Sequence, residues 1–295
     1  MKIGFIGLGN MGWGMAAKTR AMASEFVVFD ASEERTSEFA KLHSAQPAQP
    51  FSLLGECELI ITMLPTGQIV REVLLGTDQA GLADMLEPGS IVVDMSSSEP
   101  MGTRELGSIL KQRGITLLDA PVSGGMQKAN DGTLTIMLGA DDESTIESVE
   151  QVMLAMGSRV FRTGSLGTGH AMKALNNYVS AASFAATAEA ILIGRRFGLD
   201  GERMMDIMNM STGKSFSSEV VMKDHVIKEK FATGFKIGLL AKDVRITAKL
   251  AEQMNISTPV LDLITDRWEL ARDALGADHD NSEAILAWDK DLALS

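Results

Sequence analysis

Between residues 167 and 177 the chain reads GTGHAMKALNN, which sets Lys173 among Ala171, Met172, Ala174 and Leu175 and follows it with Asn176 and Asn177. Oxidising an alcohol by hydride removal needs a group that takes the hydroxyl proton, and the reverse reaction needs one that gives it. A free lysine, with a pKa near roughly 10.4, is a poor base at neutral pH. The glycines before Lys173 predict a helix start that puts it in the first turn, where the positive end of the helix dipole disfavours an ammonium; partial burial lowers the pKa further. Asn177 stands four residues on and Asn176 three, so both share a helical face with the lysine, and Asn177 is the better placed. An amide there can hydrogen-bond a substrate hydroxyl and the lysine amine without adding a competing charge. A solvated surface lysine is the commoner fate of this residue type, but it accounts for neither the asparagines nor the glycines. His170 is a base in principle; at a helix start it reads as structural.

Two further constellations bind rather than react. In DAPVSGG, Ser123, Gly124 and Gly125 let backbone N–H groups and a hydroxyl converge into a compact carboxylate nest, although Ser-Gly-Gly is often only a flexible turn. In GFIGLGNMGWGMA, Gly7, Gly9 and Gly12 form G-x-G-x-x-G after a strand-like run and at the start of a helix-like segment. Gly7 permits the tight turn, Gly9 the approach of a pyrophosphate and Gly12 close helix–strand packing, with Leu8, Asn10 and Met11 completing the loop beside the helix N-terminus. Asp30 ends the next strand-like run, where its carboxylate can accept from the adenosine ribose hydroxyls and would repel a 2′-phosphate. Ala31 and Ser32 offer no cation, so NAD is favoured over NADP; Arg35, one turn on, is the side chain that would reach such a phosphate. Asp30 also fits as an N-cap for a helix over 33–42.

These residues need elements to hold them. Strand-like runs at 2–7, 26–30, 58–64, 90–96, 115–120, 134–139 and 159–164, separated by helix-like segments, predict βαβ units and a mostly parallel sheet. After Gly169 the strand signal vanishes. The remainder is rich in helix formers and punctuated at 198–202, 211–215, 231–235, 256–259 and 275–280. The fold class is therefore α/β, an N-terminal Rossmann-type doubly wound sheet over 1–164 followed by an all-α domain over 165–295. No internal repeat is visible.

Composition excludes other classes. With 45% hydrophobic and 22% charged residues over 295 positions the chain reads as a globular enzyme, large enough for two domains. The most apolar run, 178–193, carries Ser183, Thr187 and Glu189 and predicts a buried helix rather than a membrane span. The start, MKIGFIG, does not resemble an export signal, so a cytoplasmic location is expected. One cysteine, Cys57, excludes an internal disulfide framework, and Asp278, His279 and Asp280 sit in a polar turn, so no metal site is expected. A net charge of −12 disfavours nucleic acid and anionic membranes as partners. The 19 methionines suit adaptable core packing, and Trp13 is expected to face a neighbouring helix.

GFIGLGNMGWGMA, ITMLP (61–65), VDMSSSEP (93–100), LDAPVSGG (118–125), GTGHAMKALNN and AKDV (241–244) stand in an order that resembles the β-hydroxyacid dehydrogenases along nearly the whole chain. The resemblance implies an active-site cleft between a cofactor domain and a helical domain. It implies that Leu64 and Pro65 pack against the cofactor and that Ser97 hydrogen-bonds on its nicotinamide side. Ser96 is a further hydroxyl there, and Ser98 reads as the N-cap of the next helix, with Pro100 in the first turn. With the family order around it, Ser123–Gly125 becomes a substrate loop and Lys173 the general acid/base. Lys242 resembles a second lysine that reaches the nicotinamide side, although its continuation RITAKLAE departs from relatives; Asp243 is expected to pair or cap. Lys214, in STGKS, stands where relatives vary with substrate, and either recognises a second anionic group or points into water. The implied activity is hydride transfer between NAD and a small anionic 3-hydroxy acid or aldehyde acid, in a homodimer or homotetramer. An NADPH-dependent semialdehyde or imine reductase and a noncatalytic dinucleotide-binding module are the alternatives.

Overall fold

The computed structural model describes residues 1–292, and the chain divides into two compact units, Met1–Lys173 and Ala174–Ser295. In the first unit, strands β1 (Lys2–Ile6), β2 (Glu25–Phe29), β3 (Gln46–Pro47), β4 (Leu59–Thr62), β5 (Ile91–Asp94), β6 (Thr116–Asp119), β7 (Val122–Ser123), β8 (Leu134–Gly139) and β9 (Gly157–Gly164) form one sheet. Its order is β3-β2-β1-β4-β5-β6-β8-β7, with β9 also on β8. From β3 to β6 all pairings are parallel. The central strands are nearly continuous apolar runs because both faces are covered: β4 is buried at every position, and β1 at all but its first. Alternate residues feed different cores. Ile3 and Phe5 join one cluster and Ile6 another, as do Leu59 and Ile61 against Ile60.

Helices α1 (Asn10–Thr19), α2 (Glu33–His43), α3 (Gly67–Leu75), α4 (Pro100–Gln112), α5 (Gly125–Asp131) and α6 (Glu143–Met156) connect the strands. The strand order reverses between β1 and β4. At such a switch point the loops leaving the carboxyl edge diverge and leave a crevice for a ligand. The loops there are the glycine motif after β1 and Met63–Pro65 after β4. The sheet is not parallel throughout, since β8 runs antiparallel to β6 and β7 and parallel to β9.

Helix α7 (Thr168–Phe197) begins in the first unit and runs on into the second, which continues with α8 (Gly201–Asn209), a π-helical segment Ser217–Val226, α9 (Ile237–Gln253), α10 (Pro259–Leu275) and α11 (Ala284–Leu292). Its core is built on Phe184, Trp268 and Trp288, whose ring centroids lie 5.2 to 5.7 Å apart. The Trp268 indole N–H donates to the Ala181 carbonyl at 3.3 Å. The head of α7 falls with the first unit, tied to the sheet by Asp119 as described below. Among the described residues no helix is long and apolar enough to cross a membrane.

Candidate active site

The glycine loop has the geometry its spacing predicts. Gly7 takes φ +100°, where a side chain would be strained and a Cβ would collide with the Met63 carbonyl. A Cβ on Gly12 would collide with the Gly7 carbonyl oxygen, so this glycine is what lets α1 close on β1. Gly9 is the N-cap of α1; no side chain caps the helix, and a Cβ there would meet nothing within 4 Å. Open space beside uncapped helix N–H groups suits a phosphate.

Asp30 is half-buried and turned toward this loop. One oxygen accepts from the Leu8 N–H at 2.7 Å and the other from the Ser32 N–H at 2.9 Å. It does not cap α2; Ser32 does, through its hydroxyl and the Arg35 N–H at 3.3 Å. Ser32 is the residue immediately before the first helical position, and Asp30 lies too early. The Arg35 guanidinium donates twice to the Leu8 carbonyl, at 2.9 and 2.6 Å, and lies 5.3 Å from the Trp13 ring centroid. Trp13 itself packs edge-on against Phe39 of α2.

At the ends of β4 and β5 a second loop is fixed by Asp94, which is 2% exposed. It accepts from Thr62 Oγ1 at 2.9 Å, the Ser96 N–H at 3.0 Å and Ser98 Oγ at 2.8 Å. Ser96 is buried and its hydroxyl accepts from the Leu64 N–H at 2.9 Å, so it serves the loop rather than facing solvent. Ser98 is likewise drawn to Asp94, and Glu99 is the N-cap of α4, with Pro100 first in the helix. Leu64 and Ser97 are half-buried and Pro65 exposed on this edge.

Ser123 ends β7 and is half-buried, followed by exposed Gly124 and Gly125 at φ +145° and +71°. Both φ values are ones that favour glycine, so the sharp turn into α5 depends on these two residues.

The head of α7 is held from the sheet. Asp119, fully buried at the end of β6, accepts from the Gly167 and His170 N–H groups, both at 2.7 Å. A Cβ on Gly169 would collide with the Met137 carbonyl, so glycine there allows the helix start to abut β8. Burial pushes the Asp119 carboxyl above its usual range, against the opposing pull of His170 and of the two N–H donors. Lys173 is half-buried. It is the sixth residue of α7, in the second turn rather than the first, so the helix dipole, which fades within one turn, contributes little to it.

Asn177 lies one turn beyond Lys173 on α7 and is 6% exposed, whereas Asn176 is exposed. The Asn177 amide nitrogen donates to Asp243 Oδ2 at 2.6 Å. Asp243 is buried on α9 and also lies 3.3 Å from Lys242 Nζ, the ion pair expected of it. Lys214 is 52% exposed and pairs with Glu219 at 2.8 Å.

The model of the NAD binding domain of 6-phosphogluconate dehydrogenase matches residues 2–164, and that described as NAD-binding of NADP-dependent 3-hydroxyisobutyrate dehydrogenase matches 167–288. The 2-(hydroxymethyl)glutarate dehydrogenase of Eubacterium barkeri is 31% identical over 100% of this chain and 97% of its own. The chain belongs to the β-hydroxyacid dehydrogenase family. Among its relatives, the mitochondrial 3-hydroxyisobutyrate dehydrogenase of Bos taurus is 33% identical over 88% of this chain and 77% of that protein. The solved structure of Mycobacterium tuberculosis 3-hydroxyisobutyrate dehydrogenase with L-serine superposes with a TM-score of 0.88 at 28% identity, covering 97% of this chain and 98% of that one. It is thus an NAD(P)-dependent dehydrogenase acting on CH–OH groups of small acids.

In this dehydrogenase three buried carboxylates position these residues: Asp94 and Asp119, for which no role was expected, and Asp243, whose pairing was expected but not its hydrogen bond to Asn177. A signal was present for two of them. A carboxylate closing an apolar strand, as in IVVD and TLLD, is driven into the interior and demands partners.

Proposed function

We propose that the chain catalyses the reversible NAD-dependent oxidation of a small 3-hydroxy acid to the corresponding 3-oxo acid or semialdehyde. The carrying observation is the Lys173–Asn177 pair, one helical turn apart, with the asparagine amide turned by Asp243. A carboxylate only accepts, so the amide nitrogen faces Asp243; the amide oxygen accepts from the Asn176 amide nitrogen at 3.2 Å and keeps a second lone pair for a hydroxyl or an ammonium. Lys173 Nζ takes the hydroxyl proton on oxidation and returns it on reduction, while Asn177 orients the hydroxyl. Ser123, Gly124 and Gly125 hold the substrate carboxylate. Nicotinamide, when bound, supplies the hydride acceptor.

The cofactor has a fitting bed in the first unit: Gly9 beside uncapped N–H groups for the pyrophosphate, with Leu8, Asn10, Met11 and Gly12 around it, and Leu64, Pro65 and Ser97 for the nicotinamide side; for Lys242 only the family resemblance supports a part in it. Asp30 supports NAD over NADP, because its carboxylate stands by the glycine loop while the Arg35 guanidinium is engaged on Leu8. A second anionic group on the substrate would have to displace Glu219 from Lys214. Exposed Val179, Ile193, Phe197, Val260 and Leu263 support a homodimer or homotetramer, testable by sedimentation.

Lys173→Ala is expected to lower kcat about 10²- to 10⁴-fold, the range of general acid–base catalysis. The Kd for NAD, read by fluorescence titration, should stay within about threefold, since the bed just described excludes Lys173. Near-native turnover of a responsive hydroxy acid by this variant would refute the mechanism.

A further inference from the structure

His170 is 1% exposed and lies where four elements meet at the carboxyl edge of the sheet. Its Nδ1 stands 2.8 Å from Thr103 Oγ1 on α4 and 3.7 Å from Asp119 Oδ2, and its Nε2 stands 3.6 Å from Asp94 Oδ2. Its backbone N–H is already bound by Asp119. The ring therefore separates two buried carboxylates that close adjacent parallel strands, paired directly at Asp94 and Asp119. The charge of Asp94 acts on Asp119 and opposes its ionisation. Without the ring between them these like charges would face each other at low dielectric, where repulsion is strong. Each carboxylate organises a different part of the site. Asp94 holds the Ser96 N–H and the Ser98 hydroxyl, and through Ser96 the Leu64 N–H; Asp119 holds the first turn of the helix whose next turn carries Lys173.

We infer that His170 is a positioning residue, whose ring locks the serine loop after β5 to the head of α7 and so fixes Lys173 relative to the cofactor loop. Filling the space is not enough for this role; the ring must also bond the Thr103 hydroxyl through Nδ1 and turn toward Asp94 a polar Nε2, which stands 3.6 Å away without a hydrogen bond. The functional half of the inference rests on Lys173 as the proton-exchanging group.

Two substitutions in the full chain separate positioning from packing. His170→Gln retains a donor that can reach one of the two partners, whereas His170→Leu has comparable bulk and none. The Leu variant is expected to lose about tenfold or more in kcat and to show a several-fold higher KM for NAD. The Gln variant should recover both to within about threefold. Backbone amide exchange over residues 167–173, measured where both variants are fully folded, should quicken about tenfold in the Leu variant and stay near native in the Gln variant. Thr103→Val, which removes the hydroxyl bonded to Nδ1, should shift both readouts in the same direction as the Leu variant and carries the test where the Leu variant folds poorly; native-like values of both would then overturn the inference. The inference is overturned if the Leu variant keeps kcat within about twofold of native, or if exchange over 167–173 is unchanged. If the native chain oxidised no hydroxy acid yet the exchange pattern held, the lock would stand and the proposed reaction would fall.

Discussion

Asp243 gives Asn177 a defined orientation across 66 residues of sequence, and the consequence is kinetic. Hydrogen bonds to a charged group contribute about 1.5–3 kcal/mol, so releasing the amide is expected to lower kcat roughly tenfold or more in Asp243→Ala. Asp243→Asn keeps an acceptor oxygen and should recover part of the loss; equal, native-like kcat in both would show that the amide needs no holder. Lys173 and Asn177 were legible because a helix converts a spacing of four into a shared face. The spacing also gave the wrong turn for Lys173, since the helix starts at Thr168 and the last glycine before the lysine lies inside it. Asp119 and Asp243 were not assigned to the site because Gly167, His170 and Asn177 come from other elements, which local pattern does not bring together; Asp94 binds Ser96 and Ser98 close by in sequence, but its bond to Thr62 depends on the folded sheet.

Two helix starts in this protein are held by carboxylates with opposite pH behaviour. Asp142 caps α6 from its own N-cap position, and hydrogen bonds from the Ser144 and Thr145 hydroxyls and the Thr145 N–H hold its carboxyl down at about 2. The folded chain binds fewer protons there than the unfolded chain. This stabilisation is present above the ordinary carboxylate pKa of roughly 3.9 and is lost as pH falls toward about 2. Asp142→Ala should therefore show a lower Tm than native at pH 7, a gap that narrows progressively below about pH 4 in calorimetric scans; a gap constant with pH would remove the cap from the explanation. Asp119, which caps α7 from a strand end, is pushed up by burial, so its contribution is fullest at low pH and falls as pH rises through its raised value. The long strands and helices could be read from apolar runs and polar breaks. Strands β3 and β7, two residues each, are too short to leave a period, and a π-helical segment within the helical half leaves no signal distinct from an α-helix.

Each unit has its own apolar core, and the residues proposed for the cofactor fall in the first unit, apart from Lys242. A ligand that binds only the folded chain stabilises it by mass action, by about 2.7 kcal/mol at a free concentration of 100 Kd. NAD at that level is expected to raise the free energy of unfolding, read by urea titration, by about this amount. NADP at the same concentration should add clearly less, because its 2′-phosphate would meet the Asp30 carboxylate within a chain that already carries a net charge of −12. Asp30→Asn removes that local charge and should narrow the gap from both sides, weakening NAD and easing NADP. The effect is attributable to the site because added salt screens the distant charges over about 8 Å at 0.15 M and leaves a contact at Asp30 largely intact. A native chain stabilised equally by both dinucleotides at moderate salt would reassign the preference, and Arg35, released from the Leu8 carbonyl, would be the cation to test next.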